Sequence, residues 1–228
     1  MSVNIQQQSN KAKNTILAKL KKQVTGADYS KLPTEQGYQY PELTSQEQIE
    51  QFVKLLEANH AQVIKLDQKN IGEVVGHELK TRGISALLYG KDNPYVPQIS
   101  DIDSSINIEA FDFSLANNQQ HKDKLFNNTP ASITGSHSAI AATGSIVLWP
   151  TVNEPRTLSL VPPVHFVIVD ATTLYQNFAS LITAQQWKNT LPTNVVLVSG
   201  PSKTADIQQT LAYGAHGPKE LIVLLLNT

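Results

Sequence analysis

The apolar positions of this chain change period several times, and each change predicts an element. Between Ser9 and Val24, residues Ala12, Ile16, Leu17, Leu20 and Val24 recur near helical spacing, with Lys11, Lys13, Lys19, Lys21 and Lys22 on or near the other face. This predicts an amphipathic helix. The stretch from Thr25 to Leu43, with Gly26, Pro33, Gly37 and Pro41 among Tyr29, Tyr38 and Tyr40, follows neither period and predicts a connection. Thr44 followed by Glu47 spells a capping box, after which Ile49, Phe52, Val53 and Leu56 supply a buried stripe. Strands are predicted from Ala61 to Leu66 and Ile84 to Tyr89, around a helix from Ile71 to Arg82 that Gly83 closes. Shorter strands follow at 106–111, 131–134, 145–148 and 164–169, with a moderately polar helix around Ser114 to Phe126 between the first two. The last third predicts a helix over Thr172 to Lys188, a buried strand at Val195 to Val198, a helix over Lys203 to Tyr213 and a final strand at Leu221 to Leu226.

Alternation of strands and helices implies parallel strands joined by right-handed crossovers, and strands apolar throughout are covered on both faces. The expected fold is α/β, a mostly parallel sheet with helices on both faces and an N-terminal helical extension. Residues 1–43 are expected to form the extension and its connection, and 44–228 one α/β domain.

Composition removes several function classes. Eighteen Lys and Arg against 19 Asp and Glu leave a net charge of −1, so nothing pulls the chain toward nucleic acid or anionic lipid. With no cysteine, it cannot form a disulfide, hold an iron–sulfur cluster through thiolates or use a thiol nucleophile; any redox centre belongs to a partner. The six histidines include no HxH or HExxH pairing, so no metal site is expected. The N-terminus lacks the apolar core of a signal peptide, and no later apolar run approaches the roughly 18 residues of a membrane helix. A cytoplasmic protein without a membrane span is expected.

Three loops could carry chemistry. The first, TGSHSAIAATGS at residues 134–145, flanks a predicted short helix, Ala139 to Ala142, with two Thr/Ser-Gly steps. Backbone N–H groups and the hydroxyls around Thr143, Gly144 and Ser145 can converge there on a phosphate or carboxylate. Neither a Walker A sequence nor GxGxxG is present, and a plain structural turn explains the same residues. His137 is either a general base or exposed polar surface. The second loop, WPTVNEPRTLSLVPP at 149–163, holds Glu154 and Arg156 on either side of Pro155. Arginine offers a planar fork for a carboxylate or phosphate, and the glutamate can orient it or act as a base; the alternative is a silent surface ion pair.

The third loop, SGPSKTADIQQTLAYGAHGPKEL, sets Ser199, Gly200, Pro201 and Ser202 after a strand, where open α/β sheets bind ligands at the carboxyl ends. Ser202 is placed to cap the predicted helix, Asp206 falls in its first turns, Gly214 ends it, and His216 with Gly217 leads back toward the same rim. A hydrolase triad of Ser199 or Ser202 with Asp206 and His216 is disfavoured, because the elbow G-x-S-x-G is absent.

Together, GSIVLWPTVNEPRTLSLVPPVHFVIV and LVSGPSKTADIQQTLAYGAHGPKELIVLLL resemble the lactate utilization protein C family, the LUD-domain proteins, from about Ile64 to the C-terminus. The resemblance implies a fold similar to that of ribose-5-phosphate isomerases, CoA transferases and formyltetrahydrofolate cyclo-ligases. It also implies one of three subunits for oxidising L-lactate to pyruvate, whose two partners are iron–sulfur oxidoreductase subunits; no cofactor is expected on this chain itself. The family-like positions are Thr143, Gly144, Glu154, Arg156, Ser199, Gly200, Pro201, Ser202, Asp206, Gly214, His216 and Gly217. The sequence departs from the family's IAETGT in having Ala142 for the acid and Ser145 for the second threonine, and its GSHS replaces a GADA-like form.

The reading that follows is a non-cluster accessory subunit that binds a small anion or a partner at a rim shared by the three loops. Its rivals are a stand-alone enzyme acting on a phosphorylated or CoA-linked metabolite, with Glu154 as acid, base or acyl acceptor, and a lactate-responsive regulatory binding module.

Overall fold

The computed structural model describes residues 2–26, 40–91, 93–112, 119–205, 211–214 and 216–226. Two compact units are present, Met1–Tyr40 and Pro41–Thr228. The first contains helix α1 (Ser2–Val24), whose Ile16, Leu17, Leu20 and Val24 are exposed. None of the described helices is long and apolar enough to cross a membrane.

The second unit opens on α2 (Ser45–Ala58), and the expected capping box is made: the Thr44 hydroxyl accepts from the Glu47 N–H, and the Glu47 carboxylate accepts from the Thr44 N–H at 2.8 Å. Then come β1 (Gln62–Leu66), α3 (Ile71–Thr81), β2 (Ala86–Tyr89), α4 (Val96–Ser100), β3 (Asn107–Ala110), α5 (Gln119–Asn127) and β4 (Ala131–Gly135). The chain continues through β5 (Ser138–Ile140), β6 (Ser145–Leu148), α6 (Arg156–Leu160), β7 (Val164–Asp170), β8 (Leu174–Tyr175), α7 (Phe178–Ala184) and α8 (Trp187–Thr190). It closes with β9 (Val196–Val198), β10 (Lys203–Ala205), β11 (Leu211–Tyr213) and β12 (Glu220–Leu226).

Six strands form a parallel sheet in the order β1-β12-β7-β4-β2-β3. Strand alternation divides its side chains between two cores. Ile222 and Leu224 of β12, with Phe166 and Ile168 of β7, pack against Ile71, Val75 and Leu79 of α3 and Ile99 of α4. Leu221, Val223 and Leu225, with Val167 and Val169, face the other way onto Phe52 and Leu56 of α2 and onto Ala139, Ile146 and Leu148. Those last residues belong to a second sheet, β8-β5-β6-β9, so the second face is shared between one helix and a small sheet. Leu181 of α7 and Trp187 of α8 cover the outer side of that sheet through Ile140 and Val147.

Several local expectations change. The helix expected over Thr172 to Lys188 is split: Leu174–Tyr175 pairs with β5, and helix begins only where Asn177 caps it by accepting from the Ser180 N–H at 2.9 Å. It stops at Ala184, and the chain turns at Gln186, whose φ is 49°, before α8. The short helix expected at Ala139 to Ala142 is the end of β5 followed by one 3-10 turn, Ala141–Thr143. The polar helix expected from Ser114 begins at Gln119 among the described residues. The helix expected over Lys203 to Tyr213 is absent at both described ends. Lys203–Ala205 and Leu211–Tyr213 pair antiparallel, and the Gly214 N–H donates to the Ser202 carbonyl at 3.0 Å, extending the ladder. Asp206 lies outside the described residues.

Candidate functional site

The order of the large sheet marks where a ligand is expected. From β2 the chain runs outward through α4 to the edge strand β3, whereas from its neighbour β4 it runs the other way to β7. The crevice outside the carboxyl ends of β2 and β4 is therefore a topological switch point. Gly90 and Gly135 end those strands, and Glu154 lies across them. Its Oε1 accepts from the Gly135 N–H at 3.1 Å and its Oε2 from the Asn93 side-chain amide at 3.2 Å. Asn93 is buried, and its own Oδ1 accepts from the Tyr95 N–H at 3.0 Å, which orients the amide toward the carboxylate. A Cβ at Gly90 would stand 2.6 Å from Cβ and Cγ of Glu154, so only glycine leaves room for this approach. The loop is fixed from its own side by Thr151, whose hydroxyl accepts from the Glu154 N–H at 2.9 Å.

Arg156 begins α6 beside this carboxylate. Its side chain is exposed and makes no ion pair among the described residues. Thr134, Gly135, Trp149, Glu154 and Arg156 line a cleft with a free volume of about 10 Å³, room for about one water molecule.

Behind the cleft the wall is polar. The Thr134 hydroxyl lies 2.8 Å from Nε2 of His165, which is buried and has no partner for Nδ1 among the described residues. Burial pushes the imidazole down to about 3. To one side, the His137 ring stacks on Trp149 at 4.3 Å between centroids, and its Nε2 is 2.5 Å from Oε1 of Gln185. The same oxygen accepts from the Trp187 indole N–H at 3.0 Å, so His137 Nε2 must also carry a proton and donate.

The remaining predicted residues assemble elsewhere. β6 and β9 are antiparallel, and the next pair in register beyond Ile146 and Val198 is Ser145 opposite Ser199. Their hydroxyls meet at 2.8 Å, and the Thr143 hydroxyl joins the row at 2.7 Å from Ser145. Gly144 (φ 58°) presses on α2, and a Cβ at Gly200 would meet the Asn59 carbonyl at 2.7 Å. Pro201 lines a groove with His60, Gln62, Lys219 and Glu220, at the amino ends of β1 and β12. Ser202 does not cap a helix; its N–H donates to the Pro218 carbonyl at 2.8 Å and its hydroxyl accepts from the His216 N–H at 3.4 Å. Gly217 sits against the Ser202 side chain, and Gly214 against Lys219.

The single rim expected for the three loops is thus two places. Gly135 is level with Ile168 and through it with Leu224, four residues along β12 from Glu220. At about 3.3 Å per residue, the Glu154 cleft and the Ser202–His216 turn are separated by about 13 Å along the strands alone, at opposite ends of the sheet. The sequence reading did not single out Gly90, Asn93, Trp149 or His165, and it took Gly135 only as part of the first loop's Thr-Gly step. Of these, Gly90 carried a signal, being a glycine directly after an apolar strand. No group of three His, Asp or Glu that could hold a metal ion occurs among the described residues.

The carboxylate is tested by Glu154→Gln. An amide offers one acceptor oxygen to two donors, so the Gly135 N–H or the Asn93 amide is left facing an NH2 group. Stability is expected to fall by about 1–2 kcal/mol, read from the urea midpoint. An unchanged midpoint would show that neither bond matters to the fold.

Comparison with known proteins follows this geometry. The LUD domain family model matches residues 49–226. An uncharacterised protein of Neisseria meningitidis serogroup B is 35% identical over 226 residues, 94% of this chain and 93% of its own length. Lactate utilization protein C of Macrococcus caseolyticus is 26% identical over 193 residues, covering 81% of this chain and 80% of that protein. Lactate utilization protein C 1 of Bacillus mycoides is 28% identical over 192 residues, covering 81% of each. Among solved structures, a DUF162 family protein from Deinococcus radiodurans shares the fold, with a TM-score of 0.59 and 18% identity over 82% of this chain and 100% of that one. With the family model spanning the α/β unit from α2 to the last strand, this chain belongs to the LUD domain family, as the SGPSKTADI and GAHGP stretches led us to expect.

Proposed function

We propose that this chain acts in lactate utilization, as the non-cluster subunit of a system that oxidises L-lactate to pyruvate. Its relatives named lactate utilization protein C support the process. The lack of any cysteine supports the division of labour, since clusters held by thiolates must then sit on partner subunits. The observation that carries a ligand role is Glu154, a carboxylate that accepts from the Gly135 N–H and the Asn93 amide at the switch point, with Arg156 lining the same cleft. In this reading Arg156 takes the carboxylate of a small hydroxy acid through its planar fork, and Glu154 accepts from the neighbouring hydroxyl. The Ser199–Ser202 and His216 turn, at the other end of the sheet, is the surface we assign to a partner subunit.

Calorimetric titration of the full chain with L-lactate tests the anion contact. Binding is expected, and Arg156→Ala is expected to weaken it at least tenfold. Equal affinity in the variant would remove Arg156 from the site. Deletion of the gene is expected to abolish growth on L-lactate in a strain without a second copy; unimpaired growth would refute the process itself.

A further inference from the structure

On the far side of Pro155 from the Glu154 cleft lies a cavity of about 240 Å³ that none of the features above uses. β2, β3, α5 and the start of α6 enclose it. Leu88 and Leu125 are buried in its floor, Phe111 packs against them, and Phe126 stands at its edge with 59% of its surface exposed. Phe126 thereby adds an accessible aromatic ring to the rim of a ready apolar recess, the lining expected of a small-molecule site.

The charges on the wall select the occupant. Lys124 is paired with Glu109, and Asp112 is paired with Lys91 at 3.5 Å. Lys122 also lines the cavity, is exposed, and makes no ion pair among the described residues. With the two acids matched, one positive charge remains on an apolar recess. An apolar cavity of about 150 Å³ holds a benzene ring, so one of about 240 Å³ takes an apolar body of about eight to ten non-hydrogen atoms. L-lactate is too small and too polar to cover these walls.

We propose that this cavity binds a small amphipathic monocarboxylate, its alkyl chain or ring against Leu88, Phe111 and Leu125 and its carboxylate on Lys122. The site is separate from the Arg156 contact and does not depend on it.

The test titrates the full chain with octanoate, 1-octanol and octylamine at one ionic strength. Octanoate is expected to bind best and octylamine worst. Lys122→Glu is expected to weaken octanoate at least tenfold and to reverse the order in favour of octylamine. Thr129 and Thr157, both lining the cavity and half-buried, allow it to be filled; Thr129→Trp and Thr157→Trp should each abolish octanoate binding while a cooperative thermal melt shows the chain still folded. The proposal is overturned if wild-type protein takes up no octanoate at millimolar concentration, if Lys122→Glu leaves the order unchanged, or if a folded tryptophan variant binds as before. L-lactate titrated into the same proteins reads the Arg156 contact separately, so failure of one site leaves the other standing.

Discussion

Gly144→Ala is expected to destabilise the protein by about 2–5 kcal/mol, read as a fall in the urea midpoint without loss of cooperativity. Two costs combine. Gly144 has φ 58° and ψ 38°, the left-handed region, where a residue with a Cβ is disfavoured by about 1–2 kcal/mol. The added Cβ would also stand 2.5 Å from Cβ of Leu55 and 3.2 Å from the Leu56 N–H nitrogen, and overpacking of this kind costs about 1–3 kcal/mol. Neither contact yields easily, because α2 is anchored by fully buried Phe52 and Leu56. Gly144→Asn separates the two costs: asparagine tolerates left-handed backbone but keeps the clash, so it is expected to recover only the smaller part. A loss below 0.5 kcal/mol for the alanine variant would show that α2 moves away freely. The glycine of the family-like ATGS stretch would then need a reason other than packing.

Acid is expected to weaken the fold through His165 before the carboxylates are reached. The unfolded imidazole titrates near 6.5, while burial holds the folded one down at about 3. Below pH 6.5 the unfolded chain therefore binds a proton that the folded chain refuses, and stability falls as pH falls, across the window from about 6.5 to about 3. The slope for one proton is about 1.4 kcal/mol per pH unit, so about 2 kcal/mol is lost between pH 6.5 and 5. Carboxylates remain largely ionised in both states over that interval, and comparison with a His165 variant removes what the other five histidines contribute. His165→Gln keeps a polar partner for Thr134 but cannot titrate, so its urea midpoints at pH 6.5 and 5 are expected to differ by one proton's worth less than wild type. Parallel curves for the two proteins would sink the assignment.

Both predictions concern residues whose role only packing reveals. Nothing in VPPVHFVIVD distinguishes His165 from an exposed histidine of an edge strand; it is buried because β7 lies third of six strands with covered faces. Gly144 was read as part of an anion cradle, and its hydroxyl neighbours do converge, but on one another: Thr143, Ser145 and Ser199 form a row of hydrogen bonds. Glu154 and Arg156 stood out as candidates, because a charged pair around a proline between two strands has few structural duties. The Asn93 amide and the Gly135 N–H that hold Glu154, distant in sequence, did not stand out as its partners, since a backbone N–H that binds a carboxylate has no signature of residue type.

The sequence by itself determined the α/β class, the capped start of α2, the largely apolar strands β7 and β12, the absence of thiol chemistry and the family. These are local or compositional properties: a period, a cap, a missing residue type, a continuous motif. Tertiary structure alone decided the pairing. An apolar run such as Val195 to Val198 fits a parallel or an antiparallel neighbour equally well, and its hydrogen bonds went to β6 in the small sheet. Ser202 could cap a helix or close a ladder, and the carbonyl of Pro218 and the N–H of Gly214 drew it into a hairpin. With those choices made, the SGPS and GAHGP turns came to rest at the amino end of the sheet and Glu154 at its carboxyl end. Hydrogen bonds between residues far apart in the chain set that separation, and no periodicity records them.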